Sequence, residues 1–279
     1  RVHESDYGGG EMTHLSLFSG IGGLDLAAEM AGFKTVGQVE IDDYCNRVLE
    51  YHWPDVPRWR DVKDVTAETF EQKTGIKPGT LALLSGGFPC QPFSTAGKRK
   101  GKADSRFLWP EMLRVICEIR PRWIVAENVR GILSIDTGRT FGRILSDLAK
   151  NGYRVGWLCY GAGDVGAPHR RERVFIVAHT PQHLLNRPRQ ARQAGRGEFA
   201  DGGTGPTQSR LGNFADGLPA GLAGHRWPAG PGPQHPWEPP RIAARVKDRV
   251  AKLKALGNAV VPAQAYPIFR AIMEIERRA

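Results

Sequence analysis

Long apolar runs and paired cysteines are both scarce in this sequence of 279 residues. No apolar run is long enough to cross a membrane, and the first residues lack the apolar core of a secretory signal. The four cysteines, Cys45, Cys90, Cys117 and Cys159, form no Cys-x-x-Cys pair and have no histidines at zinc-site spacing. These absences argue against a membrane protein, a disulfide framework and a metal site, and they favour a reducing, cytoplasmic location.

Acidic residues are too few to balance the basic ones, so the formal net charge is +10 and the pI is near 9.7. A strongly basic chain favours a polyanionic partner, and nucleic acid is the first candidate. Charge alone leaves open a basic protein that binds no nucleic acid. The length is sufficient for one α/β domain with its own core and a small additional module.

Apolar segments alternate with glycine and proline breaks along the first 180 residues. This alternation of strand and helix patterns predicts a mostly parallel sheet covered by helices on both faces. The expected strands are 14–18, 35–39, 81–85, 123–126, 155–160 and 174–178, and the expected helices are 24–31, 42–51, 109–119 and 141–151.

The composition changes after about residue 180. Glycine and proline make up 21 of the 60 residues from 181 to 240, among scattered arginines and aromatic residues. That density is too high for a continuous core of helices and strands. A solvated insertion and a loop-built module that lies on a nucleic-acid groove are both compatible with it. The pattern therefore predicts a tail at 1–12, one domain formed by 13–180 and 246–279, and a separate module at 181–245.

A glycine-rich turn, Ser19-Gly20-Ile21-Gly22-Gly23, stands between the first strand and the first helix. Glycines there let a ligand approach the backbone at a helix N-terminus, although the spacing also suits a simple tight turn. Glu40 ends the second strand, where an acid can bind ribose hydroxyls or be an ordinary surface residue. Asp61 follows in the next unit. No phosphate-binding lysine accompanies the turn, which favours a ligand that is a nucleoside without a triphosphate. A nicotinamide oxidoreductase is an alternative that rests on the glycine turn alone.

Candidate catalytic residues follow the later strands. Cys90, in Phe-Pro-Cys-Gln, comes directly after a proline at the end of an apolar run, which predicts a strand end that faces a cleft. Glu127 follows the strand 123–126, where poor solvation is expected to raise its pKa and to make it a proton donor near neutral pH. Arg171 and Arg173 alternate before the last strand, so both side chains can face one site. Taken singly, Glu127 also suits a helix cap and the arginines suit a solvated basic turn.

These groups together fit one reaction. A thiolate adds to C6 of a cytosine, and a carboxylic acid protonates N3 of the adduct. Carbon C5 then takes a methyl group from a sulfonium donor. Loss of the C5 proton and expulsion of the cysteine restore the aromatic ring.

The motifs, in this order along the chain, resemble those of the DNA (cytosine-5) methyltransferase family. The resemblance implies a Rossmann-like class I methyltransferase domain, an α/β fold with a mostly parallel sheet, and a small loop-rich target-recognition module at 181–245. It implies transfer of a methyl group from S-adenosyl-L-methionine to C5 of a flipped cytosine in double-stranded DNA through a covalent Cys90 adduct. The matching blocks are 17–24, Glu40, Asp61-Val62, 87–94, 127–129, 171–173 and 257–262.

The resemblance also implies a role for each matching residue. Cys90 resembles the nucleophile and Glu127 the acid at N3; Arg173 would contact the cytosine O2, and Arg171 would help to orient the catalytic loop or the base. The cofactor pocket implied by the family comprises Phe18, Gly20, Ile21, Gly22, Gly23, Leu24, Glu40, Ile41, Asp61, Val62, Pro89, Asn258 and Val260. The implied DNA contacts are Gln91, Ser94, Lys98, Arg99, Lys100, Arg106 and His169, most of them in the loop 94–106 that is expected to close over DNA.

One position departs from the family pattern, and one block separates the DNA-methylating from the tRNA-methylating branch. His169 stands where the family commonly has glutamine, a change that should be tolerated but that can alter DNA contacts. Cys90 follows Gly-Phe-Pro rather than the Pro-Pro of the tRNA-methylating branch, which favours DNA; an RNA (tRNA) cytosine-5 methyltransferase and a catalytically idle DNA-binding relative remain alternatives. The family further implies a bacterial or phage-encoded protein, used at the nucleoid in restriction-modification, and a monomer is expected.

Overall fold

One seven-stranded sheet organises the chain in the computed structural model, which describes residues 11–89, 107–181, 229, 233–238 and 246–278. The sheet runs in the spatial order third, second, first, fourth, fifth, seventh, sixth. Its strands are β1 (Thr13–Leu17), β2 (Lys34–Val39), β3 (Arg58–Trp59), β4 (Leu83–Gly87), β5 (Trp123–Val129), β6 (Arg154–Tyr160) and β7 (Arg173–His179).

The first five strands pair in parallel, and β7 alone runs antiparallel, between β5 and β6. All five residues of β1 are buried, as expected for a central strand whose two faces are both covered. The predicted fold class, an α/β protein with a mostly parallel sheet, is confirmed.

Helices cover both faces of this sheet. Their bounds are α1 (Gly23–Met30), α2 (Asp43–His52), α3 (Ala67–Thr74), α4 (Trp109–Ile119), α5 (Arg139–Lys150), α6 (Arg249–Asn258) and α7 (Pro262–Arg277). Phe70, Met112 and Ile144, from α3, α4 and α5, belong to the core on one face. Leu24 of α1 and Phe269 of α7 belong to the core on the other face. The last helix, α7, therefore packs on the same face of the sheet as α1.

The last helix packs on the sheet and is also bonded to the start of β5. Trp123 Nε1 donates to Glu276 Oε1 at 2.7 Å, and Arg122 forms an ion pair with the same carboxylate at 2.9 Å. Among the described residues no helix has both the length and the apolar character needed to span a membrane. The module predicted at 181–245 lies almost entirely outside the described residues, as does the predicted tail up to residue 10.

Two strands differ by more than one residue at an end from the sequence-based prediction, while the other predicted strands agree to within one residue at each end. The strand expected at 81–85 begins two residues later and includes Gly86, which packs so closely on β1 that a Cβ there would lie 3.1 Å from the Leu17 carbonyl oxygen. The strand expected at 123–126 continues through Glu127 and Asn128 to Val129. It extends because its antiparallel partner β7 pairs with it as far as Val129, a long-range contact that local patterns do not report.

Candidate active site

A small cleft lies at the carboxyl ends of β1, β4 and β5. In this sheet the strand order reverses between β1 and β4, and ligands of open α/β sheets bind at such a reversal point. The cleft joins the turn after β1, the end of β4, Glu127 of β5 and the segment that connects α6 to α7. Its lining residues are Phe18, Ser19, Gly20, Gly23, Leu24, Gly87, Glu127, Asn258, Ala259 and Val260.

Two glycines of the turn are required by their neighbours. A Cβ on Gly22, which has φ +86°, would lie 2.4 Å from the Trp53 ring. A Cβ on Gly23 would lie 2.5 Å from the carbonyl oxygen of Val260. Contacts this short do not occur for real side chains, so the turn, the end of α2 and the segment before α7 can meet only because these positions carry no side chain.

Glu40 ties the glycine turn to the start of α2. Its two carboxylate oxygens accept hydrogen bonds from the backbone N–H of Gly20 at 2.7 Å and of Asp42 at 2.8 Å. Each oxygen of an ionised carboxylate can accept more than one hydrogen bond. The side chain is therefore held at the edge of the turn with capacity left for the hydroxyl groups of a sugar.

Buried polar side chains support the turn from below. Asp25 of α1 accepts hydrogen bonds from Ser16 Oγ and Gln38 Nε2, both at 3.0 Å, and burial raises its pKa to about 6. His14 lies beside Ser85 Oγ at 2.7 Å, and burial lowers the pKa of its ring to about 3, which keeps it neutral. These bonds join β1, β2, β4 and α1 at the point where the turn leaves the sheet.

Glu127 is the acid of the cleft. It is 8% exposed, and Arg173 Nε approaches its Oε1 at 2.8 Å. Burial raises the pKa of Glu127 to about 7, and the charges of Arg173 and Arg171 oppose that rise without cancelling it. The raised pKa expected from its position at a strand end is present, and the group can hold or release a proton near neutrality.

Asn128 fixes the chain segment that leads to the candidate nucleophile. Its Nδ2 donates to the carbonyl oxygen of Phe88 at 2.9 Å, and its Oδ1 accepts from the Val129 N–H at 2.9 Å. Pro89 O accepts from Leu108 N at 3.3 Å, so the two residues that flank the segment 90–107 on the chain are joined. Seven predicted site residues lie outside the described residues: Cys90, Gln91, Ser94, Lys98, Arg99, Lys100 and Arg106.

Arg171 contacts the opposite wall of the cleft from Arg173. Its Nη2 donates to the carbonyl oxygens of Gly257, at 2.9 Å, and Ala259. Its own carbonyl oxygen accepts from Nε2 of Gln264, which is fully buried in the first turn of α7. The two arginines therefore have different partners: Arg173 binds the acid, whereas Arg171 binds the backbone of the segment between α6 and α7.

The remaining predicted cofactor residues are not among those that line the cleft, and their environments differ. Ile41, next to Glu40, is 70% exposed. Asp61 accepts from Lys63 N at 3.0 Å at the start of a short 3₁₀ turn. The Val62 side chain is 4% exposed and belongs to the core, and its carbonyl oxygen accepts from Arg114. Ile21 is half-buried, and Pro89 is exposed. His169, predicted as a DNA contact, is also exposed.

Sequence reasoning assigned no role to Asp25, Asn128 or Gln264. Each is a polar residue that is almost fully buried: 0%, 4% and 0% exposed. Asp25 and Gln264 stand at positions of their helices that otherwise carry apolar side chains, and this break in the pattern is the signal that could have found them. The sequence does not contain the identity of their hydrogen-bond partners.

Comparison with known proteins gives the same assignment as the motifs. Residues 12–200 match the family described as C-5 cytosine-specific DNA methylase. The Type II methyltransferase M.AquIA of Picosynechococcus sp. is 37% identical over 175 residues, which cover 59% of this chain and 71% of that protein. M.DsaV of Dactylococcopsis salina is 36% identical over 177 residues, covering 63% of this chain and 48% of the relative. The chain thus spans about half of the second relative.

Solved structures support the fold. A protein of E. coli assigned as a DNA modification methyltransferase encoded within a prophage aligns with a TM-score of 0.55 and 27% identity, covering 65% of this chain and 50% of that chain. DNMT2 of Spodoptera frugiperda aligns with a TM-score of 0.51 at 21% identity, covering 64% and 52%, a likeness of fold alone. The predicted class I methyltransferase fold and the predicted enzyme class, DNA (cytosine-5-)-methyltransferase, are confirmed, and the RNA alternative is not favoured. The chain belongs to the C-5 cytosine-specific DNA methylase family.

Proposed function

We propose that this chain transfers a methyl group from S-adenosyl-L-methionine to C5 of a cytosine flipped out of duplex DNA, with Cys90 as the nucleophile. One observation carries the proposal: a buried acid with a pKa near 7 opens into the same cleft as the glycine turn. Gly87, three residues before Cys90, pairs in register with Glu127, and a Cβ there would lie 3.0 Å from Glu127 Oε2. The acid and the nucleophile's strand are therefore neighbours.

The residues around the cleft suit the proposed donor. The held carboxylate of Glu40 can accept from ribose hydroxyl groups, and the exposed apolar side chain of Ile41 can lie against an adenine ring. A Cβ on Gly20 would have no neighbour within 4 Å, so the backbone there is open to a ligand. When bound, S-adenosyl-L-methionine supplies a methyl group on a positively charged sulfur.

The chain's own residues would carry the other steps. The Cys90 thiolate adds to C6 of the cytosine while Glu127 gives its proton to N3, so that the adduct gathers no negative charge. Arg173, held against Glu127, would donate to the cytosine O2. After C5 has gained the methyl group, a water molecule would take the C5 proton, and the electrons of the C5–H bond form the C5–C6 double bond as the C6–sulfur bond breaks. Cys90 leaves as a thiolate, and the N3 proton returns to Glu127.

The proposed partner is double-stranded DNA, bound by the loop 94–106, by His169 and by the module at 181–245. The family and the Type II methyltransferase names of its relatives support this partner and a role in restriction-modification. Extrusion of the base is part of the proposal because C5 and C6 cannot be attacked inside the stacked duplex.

Bisulfite sequencing of DNA from cells that express the full chain tests this proposal. We expect one short sequence context to resist conversion in the presence of the wild type and no such context with Cys90→Ser. A covalent complex should form on a duplex that contains 5-fluorocytosine when S-adenosyl-L-methionine is added. Methylation by Cys90→Ser, or labelled methyl transfer to tRNA and not to duplex DNA, would contradict it.

A further inference from the structure

We propose that Arg171 is a positioning residue for cofactor binding: it holds the Gly257–Val260 backbone against the glycine turn and thereby sets the width of the cleft. This inference rests on the proposed function, because the ligand in question is S-adenosyl-L-methionine. It assigns to Arg171 a task different from that of its neighbour Arg173, which binds the acid.

Hydrogen bonds through Gln264 fix the backbone of Arg171 in place. Arg171 has a φ of +34°, in the left-handed region that few residues other than glycine adopt. Its carbonyl oxygen accepts from Gln264 Nε2 at 3.0 Å, and the same amide nitrogen donates to the Tyr160 carbonyl oxygen at 3.2 Å. Gln264 thus joins the end of β6, the turn before β7 and the start of α7.

The guanidinium then binds the end of α6. The last carbonyl groups of a helix have no partner within it, and the helix dipole makes that end negative. Arg171 Nη2 donates to two carbonyl oxygens there, those of Gly257 and Ala259. Arg171 Nε is buried without a hydrogen-bond partner in the described part of the chain, so Nη2 makes the contacts that hold this side chain.

The segment so held forms one wall of the cleft. Asn258, Ala259 and Val260 face the glycine turn, and the Val260 carbonyl oxygen would be 2.5 Å from a Cβ on Gly23. A Cβ on Gly87 would be 4.0 Å from Val260 Cγ2, so the same segment also reaches the end of β4. Because these contacts are so close, loss of the Arg171 hydrogen bonds would free a segment that contacts both the glycine turn and the end of β4.

Arg171 also acts on Glu127 through its charge. Its positive charge opposes the rise in the Glu127 pKa, although the direct ion pair is made by Arg173. Replacement by lysine keeps the charge but gives up the planar guanidinium geometry, whereas replacement by methionine removes both. The two variants therefore separate the positioning role from the electrostatic one.

Calorimetric titration of S-adenosyl-L-methionine into the full chain without DNA provides the first test. We expect Arg171→Met to weaken binding at least about tenfold, since it removes hydrogen bonds from a charged group, and Arg171→Lys to lie between this variant and the wild type. Arg170→Met is the matched control: Arg170 is exposed and adjacent, and its loss changes the net charge equally. Binding by Arg171→Lys and Arg171→Met within about twofold of the wild type overturns the inference.

Single-turnover methylation with Arg171→Lys gives an independent readout that does not depend on the stability of Arg171→Met. The expected result is a raised concentration of S-adenosyl-L-methionine at half-maximal rate, with an unchanged pH profile at saturation. A slower rate at saturation with unaltered cofactor dependence would show that Arg171 acts on the base and would overturn the inference. Failure of the wild type to bind the cofactor or to methylate DNA would refute the proposed function instead.

Discussion

Two opposing effects meet on the Glu127 carboxyl group. Removal from water disfavours the charged form and raises the pKa, while the Arg173 guanidinium at 2.8 Å favours the charged form. Burial is the larger effect, so the pKa settles near 7 rather than below the ordinary value of 4.5. At the scale of a residue, the raised pKa of Glu127 comes from its removal from water.

Glu127→Gln is expected to lower the single-turnover rate of methyl transfer by about 10²–10⁴-fold, because the amide cannot give a proton to N3. In the wild type the rate should fall as the pH rises through about 7, where Glu127 loses its proton. Rates measured from pH 6 to 9 under saturating cofactor check both statements. Glu172→Gln is the control, since Glu172 is exposed and paired with Arg130.

The same acid has a defined effect on stability. Its folded-state pKa is raised, so the folded chain binds more protons than the unfolded chain between pH 4.5 and about 7, and its contribution to the free energy of unfolding falls as the pH rises through that window. Glu127→Gln should remove this dependence of the free energy of unfolding on pH.

A Glu127→Gln variant that kept both the wild-type rate of methyl transfer and the wild-type pH dependence of that rate would exclude Glu127 as the acid.

At the scale of elements, the glycine turn is the place where β1, α1, α2 and the segment before α7 converge. The turn is short because Gly22 and Gly23 admit the Trp53 ring and the Val260 carbonyl oxygen to positions that a Cβ would occupy. Below it, Asp25 joins β1 and β2 to α1. The site is therefore shaped by contacts between elements, and a methyl group added at Gly23 must displace backbone.

Gly23→Ala tests this convergence. The added Cβ would meet backbone oxygen at 2.5 Å, and overpacking of this kind costs about 1–3 kcal/mol. We expect a lower midpoint of thermal unfolding and weaker binding of S-adenosyl-L-methionine.

Gly142→Ala is the matched control for that substitution. Gly142 lies within α5, and a Cβ there would have no neighbour within 4 Å. It should stabilise the chain by about 0.5–1 kcal/mol because alanine favours helix, and it should leave cofactor binding unchanged. Equal effects of the two substitutions would show that the turn is not closely packed.

For the whole molecule, the excess of basic over acidic residues sets the expected response to salt. A protein that neutralises DNA phosphates releases condensed counterions, so its affinity falls as salt increases. With a net charge of +10, we expect the Kd for a short duplex to rise at least about tenfold between 50 and 200 mM salt. Fluorescence anisotropy measures it, and calorimetry of the cofactor at the same salt concentrations is the control. A Kd for DNA that stays constant over this range of salt concentration would contradict the prediction that the protein binds DNA phosphates.

Much of the site could be predicted because of how parallel sheets are connected. Residues that follow parallel strands meet at one edge of the sheet, so the glycine turn and Glu127 were expected together from their positions after apolar runs. The core position of the Val62 side chain and the bond from Asn128 to the Phe88 carbonyl oxygen depend on packing between distant segments, and no local pattern reports them. The roles of the site residues in catalysis remain predictions.

The order and chemistry of the motifs alone determined the family, the fold class and the residue types of the site, because motif spacing along parallel strands translates directly into position at the sheet edge. Only the tertiary structure decided that Arg173 binds Glu127 while Arg171 reaches across 86 residues to the carbonyl oxygen of Gly257. It also decided that Glu127 is desolvated enough to hold a proton near neutrality. Exclusion of water and bonds between distant backbone groups arise from packing, which a linear pattern does not encode.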